Sequence, residues 1–268
     1  MSSASPITCT LTLLGCGTST GVPLPGCRCS VCLSTNPRNR RLRTAAHLQT
    51  STGLSVLIDA GPDLRQQALR ANIHHIDALL FTHAHADHIL GIDDLRAFNF
   101  TTHKAIPCYA SETTTAGIRS IFSYVFSPHP LYQGSTAKLE LHSLEPGTPL
   151  QLGDISVLPL EVLHGKLPVT MYRFGPVAYA TDCNELPHLT RDQLAGVEIL
   201  LLDGLRHEPH PAHFTIKEAS DVGRSLGIPR TILIHLSHTI DYNDGSSQLP
   251  KGVELGYDGL QISWLNSC

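Results

Sequence analysis

The segment HAHADH, residues 83–88, constrains the fold of this 268-residue sequence more than any other stretch. It directly follows IDALLFT, an apolar run that predicts a buried strand. In an extended chain, residues i and i+2 point to the same side, so His83 and His85 can bind one metal ion together. Asp87 and His88, where the chain turns into a helix, can bind a neighbouring ion. Imidazole nitrogen and carboxylate oxygen suit zinc, manganese or iron, so the segment predicts a metal centre behind a strand.

A centre with two ions needs more ligands, and three candidates stand at other strand ends. His164 follows ISVLPLEVL, Asp182 ends VAYATD and His235 lies in TILIHLSH. Each is placed at or just beyond an apolar run, where a strand would deliver its side chain to one edge of a sheet. The sequence therefore predicts that these three residues join the HAHADH segment in one centre.

Apolar strands and helical patterns alternate along the chain, and no linker or internal repeat divides it. Helices are predicted over 62–72, with Pro62 in the first turn, and over 89–100 and 215–227. We therefore expect one domain over 1–268, of the α/β (α+β) class, with sheets covered by helices. The predicted strands are 7–15, 54–61, 76–82, 154–162, 169–175, 177–182, 197–204 and 230–237.

Net charge and the lengths of the apolar runs limit the classes of partner that this chain can bind. A formal charge of −4 argues against a general binder of phosphate backbones. No apolar run approaches the roughly 20 residues that span a bilayer, and the N-terminal segment lacks the basic region of a signal peptide. We therefore expect a cytoplasmic protein that binds neither a membrane nor extended nucleic acid. A homodimer is compatible with the sequence.

Three of the eight cysteines, Cys27, Cys29 and Cys32, crowd into PGCRCSVC. Three thiolates make most of a tetrahedral zinc site, but such a site closes with four ligands. The alternative is a redox pair at Cys29 and Cys32, although the usual βαβ surroundings of such a motif are missing. Four other cysteines lie in or near apolar runs and are expected to be small buried residues: Cys9, Cys16, Cys108 and Cys183.

With these residues the chain resembles the metallo-β-lactamase superfamily. THAHADH matches the HxHxDH signature, and the three strand-end residues match the later ligand positions in order and in context. The resemblance covers essentially the whole chain and implies an αββα sandwich with the metals at one edge. It implies a first ion held by His83, His85 and His164, and a second held by Asp87, His88 and His235, with Asp182 bridging the two.

Within that superfamily, CxCxxC together with an HxxH from His235 to His238 resembles the PhnP-like phosphoribosyl 1,2-cyclic phosphate phosphodiesterases. In that family, three such cysteines and the second histidine hold a structural zinc. The resemblance implies a zinc-binding loop at about 25–33, pinned beside His235, with no open position for catalysis. Its ligands would be Cys27, Cys29, Cys32 and His238.

The stretch EPHPAHFT supplies a candidate proton donor. His213-Phe214-Thr215 resembles the HxT element of phosphodiesterase members of the superfamily, including the tRNA 3′-processing endonucleases. The resemblance implies that His213 is catalytic, either as general acid to the leaving oxygen or as a phosphate clamp. His210 is the alternative for the same role.

Two further segments bear on substrate binding. Thr18 and Ser19 lie in GCGTSTGVP, which is similar to the family loop near the substrate, and backbone N–H groups there could meet a phosphate. The basic run NRRLRT, with Arg40, Arg41 and Arg43, could meet an anionic substrate, but a solvated surface run is expected.

The function that the resemblance implies is a metal-dependent phosphodiesterase acting on a small phosphodiester, with a cyclic diester foremost. Two divalent ions, zinc or manganese, held about 3.5–4 Å apart can bind and deprotonate one water molecule. Asp87 would then be catalytic through the ions that it helps to hold. The alternatives on the same scaffold are a tRNA-processing nuclease, a thioester hydrolase, or a non-hydrolytic protein like the pyrroloquinoline quinone (PQQ) biosynthesis protein B.

Overall fold

The computed structural model describes residues 6–127 and 134–266, and its strands account for most of the core. The strands, in chain order, are β1 (Ile7–Gly15), β2 (Ala45–Thr50), β3 (Ser55–Ile58), β4 (Ala78–Leu80), β5 (Ile106–Ala110), β6 (Leu139–Ser143), β7 (Leu150–Leu152), β8 (Ile155–His164), β9 (Leu167–Phe174), β10 (Val177–Ala180), β11 (Ile199–Asp203), β12 (Arg230–Ile234), β13 (Val253–Leu255) and β14 (Gln261–Asn266).

The helices connect these strands. They are α1 (Leu64–Arg70), α2 (Ala86–Ile89), α3 (Arg96–Thr102), α4 (Glu112–Ile121), α5 (Ser123–Phe126), α6 (His188–Asp192), α7 (Ile216–Ser225) and α8 (Tyr242–Ser247), with 3₁₀ turns at Pro37–Asn39 and Ile92–Leu95. Among the described residues, none of these helices has the length and apolar character needed to cross a membrane.

Over the described ranges the strands form two seven-stranded sheets, one in the order β14-β1-β2-β3-β4-β5-β6 and the other in the order β13-β12-β11-β10-β9-β8-β7. Each sheet mixes antiparallel and parallel neighbours. In the first, β3, β4, β5 and β6 run parallel. In the second, β10, β11, β12 and β13 do so. Parallel strands end at the same edge, so residues that follow them come together there.

The main core lies between the two sheets, and strand β3 shows how the layers are built. All four residues of β3 are buried. Val56 and Ile58 belong to the cluster between the sheets, together with Tyr172 of the opposite sheet. Leu57 points the other way and packs with Leu64 of α1. Because successive side chains alternate, a strand that is apolar on both faces is covered on both.

The outer face of the second sheet is covered in the same way. Leu200 and Leu202 of β11 pack against Ile216 and Ala219 of α7. Two sheets therefore face each other, with helices on the outside of both. This is the αββα sandwich that the resemblance to the metallo-β-lactamase superfamily implies.

Every predicted strand is present, and the four cysteines expected in the core are buried. The helix expected from Pro62 begins at Leu64. Asp63 occupies the N-cap position without a side-chain capping bond, so Pro62 lies before the helix and not in its first turn. The helix expected over 215–227 is present as α7.

The helix predicted over 89–100 is wrong as a single element, because α2, a 3₁₀ turn and α3 follow one another there. Gly91 lies between α2 and the turn, and its N–H donates to Ala60 O over 2.8 Å. A Cβ on Gly91 would stand 2.0 Å from Gly61 O, so the two backbones are in contact. This close approach interrupts the helix and holds the loop after β3 against α2.

Candidate metal centre

Four strand ends deliver the predicted ligands to one edge of the sandwich. His83 follows β4, His164 is the last residue of β8, Asp182 follows β10 and His235 directly follows β12. Because these strands come from both sheets, their ends meet where the sheets face each other. His83, Asp182 and His235 are buried and His164 is half-buried. Histidine and aspartate are the donor set of a divalent metal site.

The first group consists of His83, His85 and His164, whose ligand atoms all lie within 4.8 Å of one another. His164 Nδ1 is 2.8 Å from Ala212 O, so Nδ1 carries the proton and donates it to that carbonyl. Its Nε2 is thereby left as the metal-binding atom. The predicted first set is thus brought together in space.

The second group consists of Asp87, His88, Asp182 and His235, again within 4.8 Å of one another and all buried. His88 Nε2 lies 3.1 Å from Asp87 Oδ2 and 3.3 Å from Asp182 Oδ1. His235 Nε2 lies 3.3 Å from Asp182 Oδ2. Asp182 Oδ2 is also 3.9 Å from His83 Nε2, so this carboxylate faces both groups.

Asp59 supports the centre from behind, and it was not among the predicted site residues. Its Oδ2 accepts a hydrogen bond from His88 Nδ1 over 2.7 Å. Its Oδ1 accepts from Thr82 N over 2.8 Å, next to His83. The bond to Asp59 places the proton of His88 on Nδ1 and turns Nε2 towards the other ligands. The signal in the sequence was an aspartate at the end of a strand, as at Asp182.

Three site residues have left-handed backbone conformations. The φ angles are 63° at Asp59, 52° at Asp182 and 58° at His235. Non-glycine residues rarely adopt this region, and such strain is concentrated at functional sites, where the surrounding structure enforces it.

The titration behaviour of the buried carboxylates follows from their neighbours. Burial favours the protonated form of Asp87, but the neighbouring imidazoles of His235 and His88 outweigh it and hold the pKa of Asp87 below its usual range. Burial acts against ionisation of Asp182 as well, yet His235 and His88 keep its pKa well below normal. Both side chains are therefore anionic at neutral pH. Burial lowers the pKa of His83 well below its ordinary value, which keeps its imidazole in the neutral form that binds metals.

The hydrogen bonding of the candidate ligands is a second observation that fits a bound divalent metal. Nε2 of His83, of His88 and of His235 is buried and has no hydrogen-bond partner among the described residues. Unpartnered buried nitrogens are costly. Three of them aimed at two anionic carboxylates are the arrangement that a bound cation satisfies.

His213 lies against this ligand set. Its ring centroid is 4.5 Å from that of His164 and 4.8 Å from that of His235. Its Nδ1 lies 2.5 Å from Oδ2 of Asp203, a buried residue that the sequence reasoning missed. Burial raises the pKa of Asp203, whereas the bond with His213 opposes that rise. Asp203 also stands at a strand end, as Asp182 does, so the same signal could have found it.

The start of α7 restrains the chain on the C-terminal side of His213. Thr215 Oγ1 accepts from Glu218 N over 3.1 Å, and Glu218 Oε2 accepts from Thr215 N over 2.8 Å. This capping box, written in the sequence as T-x-x-E, sets the first turn of the helix. His213 stands two residues before this N-cap. The capping box therefore also helps to keep His213 beside the strand ends that carry the candidate metal ligands.

The alternative histidine, His210, is half-buried at the same loop. Its ring centroid lies 4.9 Å from that of His213, and its Nδ1 accepts from Ala212 N over 3.2 Å. Its proton is therefore on Nε2 in the neutral form. Burial lowers the pKa of His210, and the neighbouring His213 acts in the same direction. His210 thus offers a neutral N–H donor at the edge of the candidate metal centre.

The loop with Thr18 and Ser19 lies beside the centre, next to the strand end that carries His235. Thr18 N donates to Leu236 O over 3.2 Å, so this N–H is not available to a phosphate, contrary to expectation. Ser19 is exposed, and its carbonyl accepts from Arg43 Nε over 2.9 Å. The side chains of this loop, rather than the N–H of Thr18, are left for a substrate.

The second predicted metal group is also brought together. The ligand atoms of Cys27, Cys29, Cys32 and His238 lie within 4.8 Å of one another. His238 Nδ1 lies 3.4 Å from the Sγ of Cys27 and 3.5 Å from that of Cys29. The N–H of Cys32 donates to Cys29 Sγ and, with His238, lowers the pKa of that thiol to about 6. A thiolate is the form of cysteine that binds metal.

The prediction that Arg41 belongs to a solvated run is wrong. Arg41 is buried, with Nη1 donating to Ser237 O over 3.0 Å and Nη2 donating to Ile240 O over 2.8 Å. These two carbonyls flank His238. The sequence pattern shows only a basic run, because the carbonyls that accept from Arg41 lie almost 200 residues further along the chain. Arg40 is exposed, as expected, and Arg43 is half-buried.

Comparison with known proteins places this arrangement in a family. The model of the β-lactamase superfamily domain matches residues 55–236. A solved structure described as a new diphosphatase from the PhnP family is 39% identical with a TM-score of 0.90, and the match covers 97% of this chain and 99% of that one.

Two curated relatives carry other names. The octanoyltransferase of Porphyromonas gingivalis (strain W83) is 41% identical over 251 residues, which are 93% of this chain and 50% of that protein. This chain therefore spans about half the length of that relative. The ribonuclease Z of Methanopyrus kandleri is 24% identical over 258 residues, which are 79% of this chain and 88% of that protein.

The sandwich and its edge of histidines and aspartates are those of the metallo-β-lactamase fold, which implies the binding of divalent metal. The chain belongs to the metallo-β-lactamase superfamily and stands close to the PhnP family within it.

Proposed function

We propose that this protein is a metal-dependent hydrolase of small phosphodiesters, with a cyclic diester as the foremost substrate. The observation that carries the proposal is the buried pair of His213 and Asp203 directly beside the two ligand groups. The similarity to a PhnP-family diphosphatase supports hydrolysis at phosphorus. A small substrate agrees with the net charge of −4, which disfavours a long polyanion.

Seven residues would hold the metals. Two divalent cations, zinc or manganese, would supply Lewis acidity and lower the pKa of a water molecule so that it attacks at neutral pH. The anionic Asp182 faces both groups, so it is the residue that would set their spacing. The first set is His83, His85 and His164, and the second is Asp87, His88, His235 and Asp182.

His213 would handle the proton of the leaving oxygen. The carboxylate of Asp203 accepts the Nδ1 proton, which leaves Nε2 to carry a second proton towards the substrate. An alkoxide is a poor leaving group, so protonation by a fixed acid assists its departure. Asp203 stabilises the imidazolium before that transfer and holds the ring in place afterwards.

Residues at the edge of the candidate metal centre would orient the substrate. His210 presents its Nε2 proton as a neutral donor, and the exposed Ser19 offers a hydroxyl on the loop after β1. Thr18 stands next to Ser19 and is held to Leu236 through its backbone. Together with His213, these residues would contact the phosphoryl oxygens and the leaving group.

The group of Cys27, Cys29, Cys32 and His238 would hold a structural zinc. All four positions of a tetrahedral ion are filled by the chain, so no position is open for a substrate. This zinc would join the N-terminal loop to the segment that follows His235. Its contribution is to the fold of the site and not to the reaction.

Acyl transfer is the second candidate, because one relative is named an octanoyltransferase. Covalent acyl transfer by a thiol needs an accessible thiolate. Among the described cysteines, those outside the Cys₃His group are buried. Cys183, next to Asp182, is fully buried, and burial raises its pKa well above the ordinary value. The described part of the chain thus favours hydrolysis over this kind of transfer.

A substrate panel tests the proposal. The protein would be loaded with Zn²⁺ or Mn²⁺ and assayed on a cyclic phosphodiester, a linear dialkyl phosphate, bis(p-nitrophenyl) phosphate, a diphosphate diester, an octanoyl thioester and a β-lactam. We expect turnover of the phosphodiesters and none of the thioester or the β-lactam. Turnover confined to the thioester would favour the second candidate.

A further inference from the structure

Asn184 joins the two segments that carry His164 and His213. Its Oδ1 accepts a hydrogen bond from Gly165 N over 2.8 Å. Its Nδ2 donates to Pro211 O over 3.2 Å. One side-chain amide therefore spans the gap between the turn after a metal-ligand candidate and the loop before the candidate acid.

The backbone of Asn184 is itself held in place. Asn184 N donates to Leu163 O over 2.9 Å, and Leu163 N donates to Glu185 O over 3.0 Å. These bonds attach the segment after Asp182 to the end of β8. Because the backbone is fixed on that side, the side chain of Asn184 reaches across to the His213 loop from a rigid base.

The loop before His213 has few other ties to the metal side. Arg206 donates to Glu208 O over 3.2 Å and to Pro209 O over 3.1 Å, but these bonds stay within the loop. Among the described residues, the bonds from this loop to the ligand side are the one from Asn184 to Pro211 O and the one from His164 Nδ1 to Ala212 O. Just after His213, Phe214 N also donates to Cys183 O over 2.8 Å. Gly165 packs close to the same loop, where a Cβ would lie 3.5 Å from that of Ala212.

We propose that Asn184 is a positioning residue that sets the place of His213 relative to the metal ligands. This role rests on the proposed phosphodiesterase function. Asn184 contacts neither the substrate nor a metal in this account. It fixes the carbonyl of Pro211 two residues before His213, so the candidate acid meets the leaving oxygen at a defined distance. A misplacement of about 1 Å in such a group can cost roughly 10²-fold in rate.

Two substitutions separate the two bonds of this side chain. Asn184→Asp keeps an acceptor for Gly165 N–H but puts a carboxylate oxygen where the donor to Pro211 O stood. Asn184→Ala removes both bonds. Asn266→Ala is the matched control, since Asn266 Nδ2 donates to Asp154 O over 3.3 Å at the far end of the sheet.

Two readouts test the role, both on full-length metal-loaded protein. The first is hydrogen–deuterium exchange of residues 206–214, which requires no activity. The second is turnover of a dialkyl phosphodiester against bis(p-nitrophenyl) phosphate, whose leaving group needs little protonation. We expect Asn184→Asp to speed exchange in this segment and to slow the dialkyl substrate by about 10- to 100-fold. Metal content and the nitrophenyl rate should change much less, and Asn266→Ala should match wild type.

Wild-type exchange in Asn184→Asp, or an equal loss on both substrates, would overturn the role. If Asn184→Ala fails to fold, the Asp variant still decides the matter. If wild type hydrolyses no phosphodiester, the proposed function fails by itself. Faster exchange in Asn184→Asp would then still support the proposal that Asn184 holds the loop before His213 in place. Unchanged exchange would refute that proposal.

Discussion

His213 Nδ1 and Asp203 Oδ2 lie 2.5 Å apart, and both side chains are buried. Cys183 N also donates to the same carboxylate oxygen over 2.9 Å. Two donors on one oxygen hold the carboxylate still, and the carboxylate in turn holds the imidazole. The remaining oxygen, Oδ1, is 3.9 Å from His235 Nδ1. Asp203 therefore touches both the candidate acid and a metal-ligand candidate, and this relationship leads to the first two predictions.

Substituting His213→Ala should leave the metals bound and slow the hydrolysis of alkyl phosphodiesters by about 10²–10⁴-fold, the usual contribution of a positioned acid. Bis(p-nitrophenyl) phosphate should lose much less, because its leaving group departs without protonation. Steady-state rates on both substrates check this, with the exposed His188→Ala as control. Equal losses on both would make His213 a phosphate clamp, and no loss on either would move the role to His210.

Substituting Asp203→Asn should copy much of the His213→Ala defect. The amide cannot both accept the Nδ1 proton and stabilise an imidazolium, so the ring loses its orientation and its charge partner. The measured quantity is the ratio of dialkyl to nitrophenyl rates, with metal content determined in parallel. Asp221→Asn is the matched control, since Asp221 pairs with Lys217 and Arg224 on the surface. A wild-type ratio of the two rates in Asp203→Asn would contradict the prediction that Asp203 acts through His213.

Substituting Cys29→Ser should remove the structural zinc and lower stability, with activity lost as a consequence. The four ligands leave no open position, so this zinc should survive mild chelation that strips the pair at the active site. Elemental analysis before and after chelation, with thermal unfolding, measures both effects. Ser30→Ala in the same loop serves as control. A Cys29→Ser variant with full metal content and an unchanged melting temperature would show that this group holds no zinc.

His47 gives the fold a defined response to acid. Burial lowers the pKa of His47 from 6.5 to about 4, and its Nε2 lies 2.8 Å from Ser55 Oγ. Because the unfolded chain binds this proton more tightly, its contribution is present above pH 6.5 and is lost as the pH falls towards 4. Between pH 7.5 and pH 5 the wild type should lose about 2 kcal/mol more than His47→Gln. Urea unfolding at both pH values measures this difference, and identical pH slopes for the two proteins would contradict it.

The sequence allowed the residues of the candidate metal centre to be predicted because each has a local cause. His83, Asp182 and His235 all follow a buried strand, and the residues after such strands reach one edge. Thr215 and Glu218 likewise specify the start of α7 within four residues. Each of these patterns lies within a few consecutive residues, so the sequence alone is enough to recognise it.

The parts that could not be predicted depend on contacts across long stretches of chain. Arg41 is buried only because carbonyls at Ser237 and Ile240 accept its protons. Asn184 matters because Gly165 and Pro211, on either side of it in sequence, meet at its amide. No periodicity or motif encodes such a meeting, so these residues become visible only in the folded chain.

The two carboxylates of the second ligand group carry the central claim. Asp87→Ala and Asp182→Ala each remove an anionic candidate ligand from a buried group that holds two histidines. Their loss should lower the content of bound divalent metal and abolish hydrolysis of every substrate, while the αββα fold persists by circular dichroism. Asp93→Ala, a half-exposed aspartate paired with Arg96, is the control.

The most direct test is therefore the initial rate on bis(p-nitrophenyl) phosphate of wild type and Asp182→Ala, each with its bound metal quantified. We predict saturable turnover in the wild type that a chelator removes and that Zn²⁺ or Mn²⁺ restores, with no turnover in Asp182→Ala. Undiminished turnover in Asp182→Ala, or a metal-loaded wild type inactive on every phosphodiester tested, would contradict a metal-dependent phosphodiesterase.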